Sequence, residues 1–247
     1  MLRSEIHSDT HMAATVKSNR FLLAAGCLAV AFAVGAAARP QSEPMVITLT
    51  GQSMIRSDIR ATAPAAVPVI QSLLNGDVKF TNFEAAVGEK GETVHEGGGF
   101  LAPPEALDAL TTLGFNLLSL SNNHAFDLKL TGLENTLREV KKRKIAHAGT
   151  GQNIDEATAP GYLRTSKGTV ALASGMIQPG GNATPDRPGV DELRIQMGDK
   201  PNEAMSELPP GAENEPNAED AQRILQSIRT ARQHADIVIV YQHNHVF

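Results

Sequence analysis

The sequence predicts a layered α/β domain whose sheet is covered on both faces, and three observations carry the prediction. Short β-rich runs alternate with segments of helical periodicity, the runs are largely apolar throughout, and polar residues gather where they stop. A strand with one wet face alternates polar and apolar residues, so unbroken runs imply burial on both sides, and strands separated by helices imply parallel pairing.

The elements follow in order. Residues 45–50 (MVITLT) form a β-rich run that stops at Gly51. Residues 65–74 are helical and are closed by Asn75-Gly76, and residues 78–82 are a second strand. The glycine-rich stretch 88–99, which contains His95, has no periodicity and reads as an exposed loop. Pro103-Pro104-Glu105 opens a helix that Gly114 stops, and residues 116–120 are the third strand. Leu130, Leu133, Leu137 and Val140 then recur at helical spacing. The basic run 141–144 falls at the C-terminal end of that helix, where the macrodipole favours positive charge, so it needs no ligand to explain it. Strands at 145–148 and 168–173, a long helix at 218–234 and a last strand at 237–241 (IVIVY) complete the pattern. Residues 149–151 (GTG) read as a turn, and His147 as a strand-end residue facing solvent or bonded within the core.

Composition sets limits on function. A chain of 247 residues that is 41% hydrophobic and 20% charged holds enough apolar material for one sizeable core. A net charge of -5 and 4% aromatic residues with no Trp provide neither a basic face nor stacking platforms, which excludes nucleic acid as a partner. A single cysteine, Cys27, excludes an internal disulfide and a Cys-rich metal cluster, so any metal must be held by His, Asn, Gln or carboxylate.

The amino terminus reads as an export element. Residues 21–38 form an 18-residue stretch without charge, preceded by Lys17 and Arg20 and ending in Ala36-Ala37-Ala38. This is a cleavable signal or a short uncleaved anchor; a lipoprotein processed at Cys27 would turn polar directly after the cysteine, and this one does not. The expected organisation is an n-region, signal or anchor and linker over 1–44, then one domain over 45–247. The polar, Pro- and Gly-rich segment 179–217 is expected to be a surface insertion. The domain is expected outside the cytoplasm, periplasmic, secreted or anchored to the inner membrane.

In layered α/β domains ligands collect beyond the carboxyl ends of the strands. Four strand ends here carry polar groups of metal-ligand type: Gln52 after the first, Asn82 and Glu84 after the second, Asn122, Asn123, His124 and Asp127 after the third, His243 and His245 after the last. Taken singly, each has an ordinary explanation. Asn-Asn-His suits a turn, Glu84 a solvated acid, and Asp127 a helix N-terminus as readily as a ligand or an orienter of the His124 ring. Their joint placement is the stronger observation, because a divalent cation needs carboxylate, amide oxygen and imidazole brought from several strands. In His-x-His the two rings lie on one side of an extended chain.

GQSMIRSDIR, GDVKFTNFEAAV, FLAPPEALDALTTLGFNLLSLSNNHAFDLKLTGLENTLREV, IAHAGTGQNIDEATAP and HADIVIVYQHNHV together resemble the CapA family of poly-γ-glutamate capsule-biosynthesis proteins. The resemblance covers roughly residues 46–178 and 218–246 and is most specific over 100–160. It implies a sheet like that of the calcineurin-like metallophosphoesterases, with helices on both faces and a two-metal centre at strand ends, the metal being Mn, Zn, Fe or Mg. It further implies Glu84, Asn123, His243 or His245 and, at the position of the first strand end, Gln52 as metal positions, and His124 as the acid or anion stabiliser; Asp127, read from its spacing, is the expected catalytic partner of His124. Asn82 and Asn122 are the expected substrate contacts. Two departures stand out: Gln52 occupies a position where the family commonly has Asp, and Phe247 precedes the family's later Gly-His segment, so the domain is expected to be C-terminally incomplete.

Three functions fit this reading. One is a capsule protein that acts on an anionic polymer or its precursor, at the membrane and with other capsule-synthesis proteins. The others are a metal-dependent phosphoesterase and a non-catalytic polyanion-binding relative.

Overall fold

The computed structural model describes residues 43–89, 99–177, 181–197 and 214–244. The expected signal or anchor, Cys27, His95 and His245 lie outside these residues. Among the described residues no helix is long and apolar enough to cross a membrane.

Two sheets make up the centre of the domain. The first is parallel, with strand order β1 (Ile47–Ser53), β2 (Val78–Phe83), β3 (Leu117–Ser119), β4 (Ala146–Ala148). In the second, β6 (Gly168–Ile177) lies between antiparallel β5 (Gly161–Thr165) and parallel β7 (Ile237–Asn244). Helices α1 (Ala66–Leu73), α2 (Glu105–Leu113) and α3 (Lys129–Lys142) cover the outer face of the first sheet, and α4 (Ala218–His234) packs on β6 and β7.

The layered α/β class is as expected, and both faces of the first sheet are covered. The layers run helices, sheet, sheet, helix, so the second cover is a sheet. Adjacent leucines in β3 show why: successive strand residues point to opposite faces. Leu118 enters the core made with Leu107, Leu110, Leu133 and Leu137, while Leu117 joins Val78, Phe80, Val170 and Leu172 between the sheets. Each such side chain contributes roughly 1.5–3 kcal/mol by leaving water. Phe80 meets Tyr241 of β7 with ring centroids 5.3 Å apart, and Ser119 and Ser174 join the sheets by an Oγ–Oγ hydrogen bond of 2.7 Å.

Three local results bear on the site. Gly114 ends α2 with a left-handed φ of 104°, as its position suggested. The register between β1 and β2 slips between Leu49 and Gln52, a bulge that carries β1 past its expected end at Thr50 and through Gly51 and Gln52 to Ser53. The basic run after α3 is partly structural: Arg143 pairs with Asp108 of α2 at 2.6 Å and with Glu139 of its own helix. Within the segment expected to be a surface insertion, Val190, Asp191 and Glu192 are buried. Asp191 there donates its N–H to Gly149 and accepts from Met176.

Candidate functional site

The strand ends of β2, β3 and β7 meet in one hydrogen-bonded cluster. It begins with Glu84, directly after β2 and 2% exposed. Asn82 Nδ2 donates to Glu84 Oε2 at 3.1 Å, and Asn122 Nδ2 donates to Asn82 Oδ1 at 3.2 Å and to the Phe83 carbonyl at 2.8 Å. Asn82 and Asn122 therefore hold the carboxylate and the strand end in place.

After β3 the chain turns abruptly. Leu120 donates to the Ala148 carbonyl, Thr150 Oγ1 donates back to the Leu120 carbonyl, and Asn122 is extended with φ -161°. Asn123–Phe126 then forms a single 3-10 turn, which points Asn123 and His124 into the cluster. The turn is crowded from below. Gly149 has φ 97°, and a Cβ there would stand 2.6 Å from that of Ser121, so only glycine fits.

The two histidines are held differently. His124 Nδ1 lies 2.7 Å from Asp127 Oδ2, which also accepts the Phe100 N–H. An ionised carboxylate only accepts, so Nδ1 carries the proton and Nε2 faces Glu84 Oε1 at 3.9 Å. His243, 2% exposed, places Nε2 at 2.8 Å from Asn123 Oδ1 and Nδ1 at 3.3 Å from the Tyr241 hydroxyl and 3.9 Å from Glu84 Oε2. Burial, followed by the charge of Glu84, pushes the Tyr241 hydroxyl up to about 12, so it remains a proton donor.

Of the residues expected from the sequence, Asn82, Glu84, Asn122, Asn123, His124, Asp127 and His243 come together. Gln52 stands apart. The bulge sets it in register with Asn82, but it is exposed, its side chain makes no hydrogen bond among the described residues, and it lines a separate groove of about 650 Å³ between β1 and the helices. Asp127 caps the C-terminal end of the 3-10 turn and orients His124 rather than opening α3, since Leu128 precedes that helix. His147 sits at the far edge of the sheet, its Nδ1 bonded to the Ile145 carbonyl and its pKa lowered by burial.

Sequence reasoning missed Tyr241, Phe100 and Arg56. The first had a signal, since it precedes His243 by one strand period on the same face. The other two come from segments with no periodicity. Phe100 contacts the His124 ring at 4.7 Å, edge to face, and the Arg56 guanidinium lies 4.1 Å from the Phe100 centroid.

A buried ionic cluster behind the site was missed as well. Asp191 accepts from Arg223, and Asp220 accepts from Arg223 and Arg194. Burial raises Asp191 to about 6, with the Arg223 charge acting against it, and burial reinforced by Asp220 raises Glu192 to about 7. Asp220 is also penalised by burial, but its arginine hydrogen bonds prevail and lower it to about 2.

Both carboxylate–imidazole separations of 3.9 Å exceed a hydrogen bond yet lie within two ligand bonds of about 2.0–2.2 Å each. The Asn122 Oδ1 is buried with no hydrogen-bond partner, an oxygen of the right type. Among the described residues, however, no group of three or more His, Cys, Asp or Glu is arranged to hold a metal ion.

The fold and site thus define a layered α/β protein with a carboxylate, amide and imidazole cluster at the strand ends. Residues 38–246 match the family of bacterial capsule synthesis proteins (PGA_cap), and the chain belongs to that family. The resemblance drawn from the sequence motifs is thereby confirmed. Two proteins of Sinorhizobium fredii, the uncharacterized y4sH and y4uA, are each 32% identical over 148 residues, 54% of this chain and 32% of theirs. The PGA biosynthesis protein CapA of Bacillus subtilis is 25% identical over 142 residues, 56% of this chain and 30% of its own. The chain spans about a third of the length of these relatives. A proposed 5'-nucleotidase from Staphylococcus aureus, solved with α-ketoglutarate, superposes with a TM-score of 0.38 at 14% identity, over 79% of this chain and 36% of that one. A likeness of that size carries no chemistry across.

Proposed function

We propose that this chain acts outside the cytoplasm in making, exporting or attaching a poly-γ-glutamate-type capsule, and that its strand-end cluster binds the anionic polymer or a precursor. The observation that carries the reading is the meeting of Glu84, Asn123, His124 and His243 from three strand ends in one buried-to-exposed cluster, in a chain of the capsule synthesis family. Residues 21–38 would deliver or anchor it at the membrane, where other capsule-synthesis proteins would be its partners.

A carboxylate-bearing site does not attract a polyanion unaided. A divalent cation held by Glu84, His243 and Asn123, with Asn122 Oδ1 in reach, would supply the missing positive charge. Asn82 would fix Glu84, and Asp127 would keep the His124 ring turned toward the bound anion. The test is equilibrium binding of a γ-glutamyl oligomer to the full chain, with Mn²⁺ or Zn²⁺ and with chelator. The reading expects saturable binding that weakens on chelation; no binding under either condition contradicts it.

The His124–Asp127 pair favours a second reading, metal-dependent phosphoester hydrolysis. An imidazole oriented by a carboxylate and turned toward the site is placed to protonate a departing oxygen. Turnover of a generic phosphodiester by the metal-loaded chain, lost in His124→Ala, supports it; no turnover with any of Mn, Zn, Fe or Mg rules it out.

A further inference from the structure

We propose that Arg56 and Phe100 form a carboxylate-docking subsite beside His124, which grips a pendant α-carboxylate of the bound polymer next to the one at the cluster; this rests on the polyanion reading above.

The inference begins with what holds Arg56. It follows β1 in a loop and is exposed, yet its guanidinium is fixed at two points: it stacks on the Phe100 ring 4.1 Å from the centroid, and Nη2 donates to the Gly99 carbonyl at 3.1 Å. Phe100 is itself fixed, because its N–H is bound by Asp127 and its ring meets that of His124 at 4.7 Å. One carboxylate, Asp127, therefore orients both the imidazole and the platform on which the guanidinium lies. An exposed arginine normally samples many rotamers, and ordering it costs free energy. Here the platform and the carbonyl meet that cost before any ligand arrives.

What remains unused is the binding edge. A guanidinium has five N–H donors in a planar fork, and the described structure engages Nη2 alone, on a neutral carbonyl. No carboxylate lies within ion-pair distance of Arg56 among the described residues, in contrast to Arg60 nearby, which pairs with Asp58 at 2.8 Å. A planar fork suits a planar carboxylate bidentately, and stacking on an aromatic face leaves that edge available. A polymer with a carboxylate on every residue offers a second anion one repeat away from the first. The cluster and Arg56 are separated by a single ring, Phe100.

The test compares Arg56→Ala, Arg56→Lys, Arg60→Ala and His124→Ala in the full chain, with a γ-glutamyl oligomer and with tripolyphosphate as probes and thermal melting as a check on folding. The proposal expects at least a tenfold loss of oligomer affinity in Arg56→Ala. It expects partial recovery in Arg56→Lys, which keeps the charge but not the fork, and no change in Arg60→Ala. Oligomer affinity within twofold of the parent in Arg56→Ala, while His124→Ala binds weakly, overturns the subsite and leaves the polyanion site standing. Unchanged affinity in both overturns the two together. A loss confined to tripolyphosphate overturns the carboxylate assignment.

Discussion

His243 Nε2 lies 2.8 Å from Asn123 Oδ1, across 120 residues of sequence and from one sheet to the other. The bond joins the last described strand to the turn after β3, and it closes the cluster around Glu84. Removing the acceptor leaves a buried ring without this partner. Asn123→Ala is expected to lower stability by about 1–3 kcal/mol, the usual cost of unmaking a buried hydrogen bond, read from urea denaturation. A variant as stable as the parent would show that the bond does not hold the sheets together.

The His124–Asp127 pair makes a prediction about protonation. Asp127 accepts from His124 Nδ1 and from the Phe100 N–H, so Asp127→Asn replaces an acceptor with a group that can turn its NH₂ toward the ring. The expected outcome is a change in the His124 tautomer, visible in its ring ¹⁵N shifts, together with loosening of the Phe100 contact. Unaltered ring shifts would contradict the orienting role.

Gly149 predicts a steric effect beneath the site. Its φ of 97° disfavours any side chain, and a Cβ would meet Ser121 Cβ at 2.6 Å and Ser174 Oγ at 2.8 Å. Gly149→Ala is expected to destabilise by about 2 kcal/mol or more, from the left-handed backbone and the clash together. Thermal unfolding measures it; a shift of less than a degree would refute the crowding.

The buried acids predict the pH dependence of stability. Asp191 and Glu192 are raised to about 6 and about 7, so between pH 4 and 7 the folded chain holds protons that the unfolded chain has released. Stability from these two groups therefore falls as pH rises through that window, with a slope of up to about 1.4 kcal/mol per pH unit for each proton. Asp220 acts in the opposite sense, but its contribution is lost only as pH falls toward about 2, outside this window. Glu192→Gln is expected to flatten the slope between pH 5 and 7, measured by denaturation at each pH; an unchanged slope would contradict the assignment.

Local signals made much of this fold readable. Gly114 announced the end of α2, and Leu133, Leu137 and Val140 announced the buried face of α3, although Leu130 of the same series is exposed. The stacking of the two sheets was not readable, because Phe80 against Tyr241 and Ser119 against Ser174 are long-range pairings with no local signature. The site divides in the same way. Asn82, Glu84, Asn122, Asn123, His124 and His243 could be picked out as neighbours because polar residues gather at the strand ends, which the fold brings together. Gln52 lies within β1 and apart from the cluster because of a one-residue bulge that is invisible in sequence. Arg56 and Phe100 were missed because their partnership depends on loops brought together by Asp127 and Gly99.

Under the proposed function the anionic polymer binds at the strand-end cluster. The most direct measurement is the affinity of the full chain for a γ-glutamyl oligomer at fixed salt and metal, in the parent and in Glu84→Ala and His124→Ala. Binding at the cluster requires saturation in the parent and at least a tenfold loss in each variant, with melting temperatures showing that both remain folded. Equal affinity in all three would place the polymer elsewhere and overturn the proposed function of the cluster.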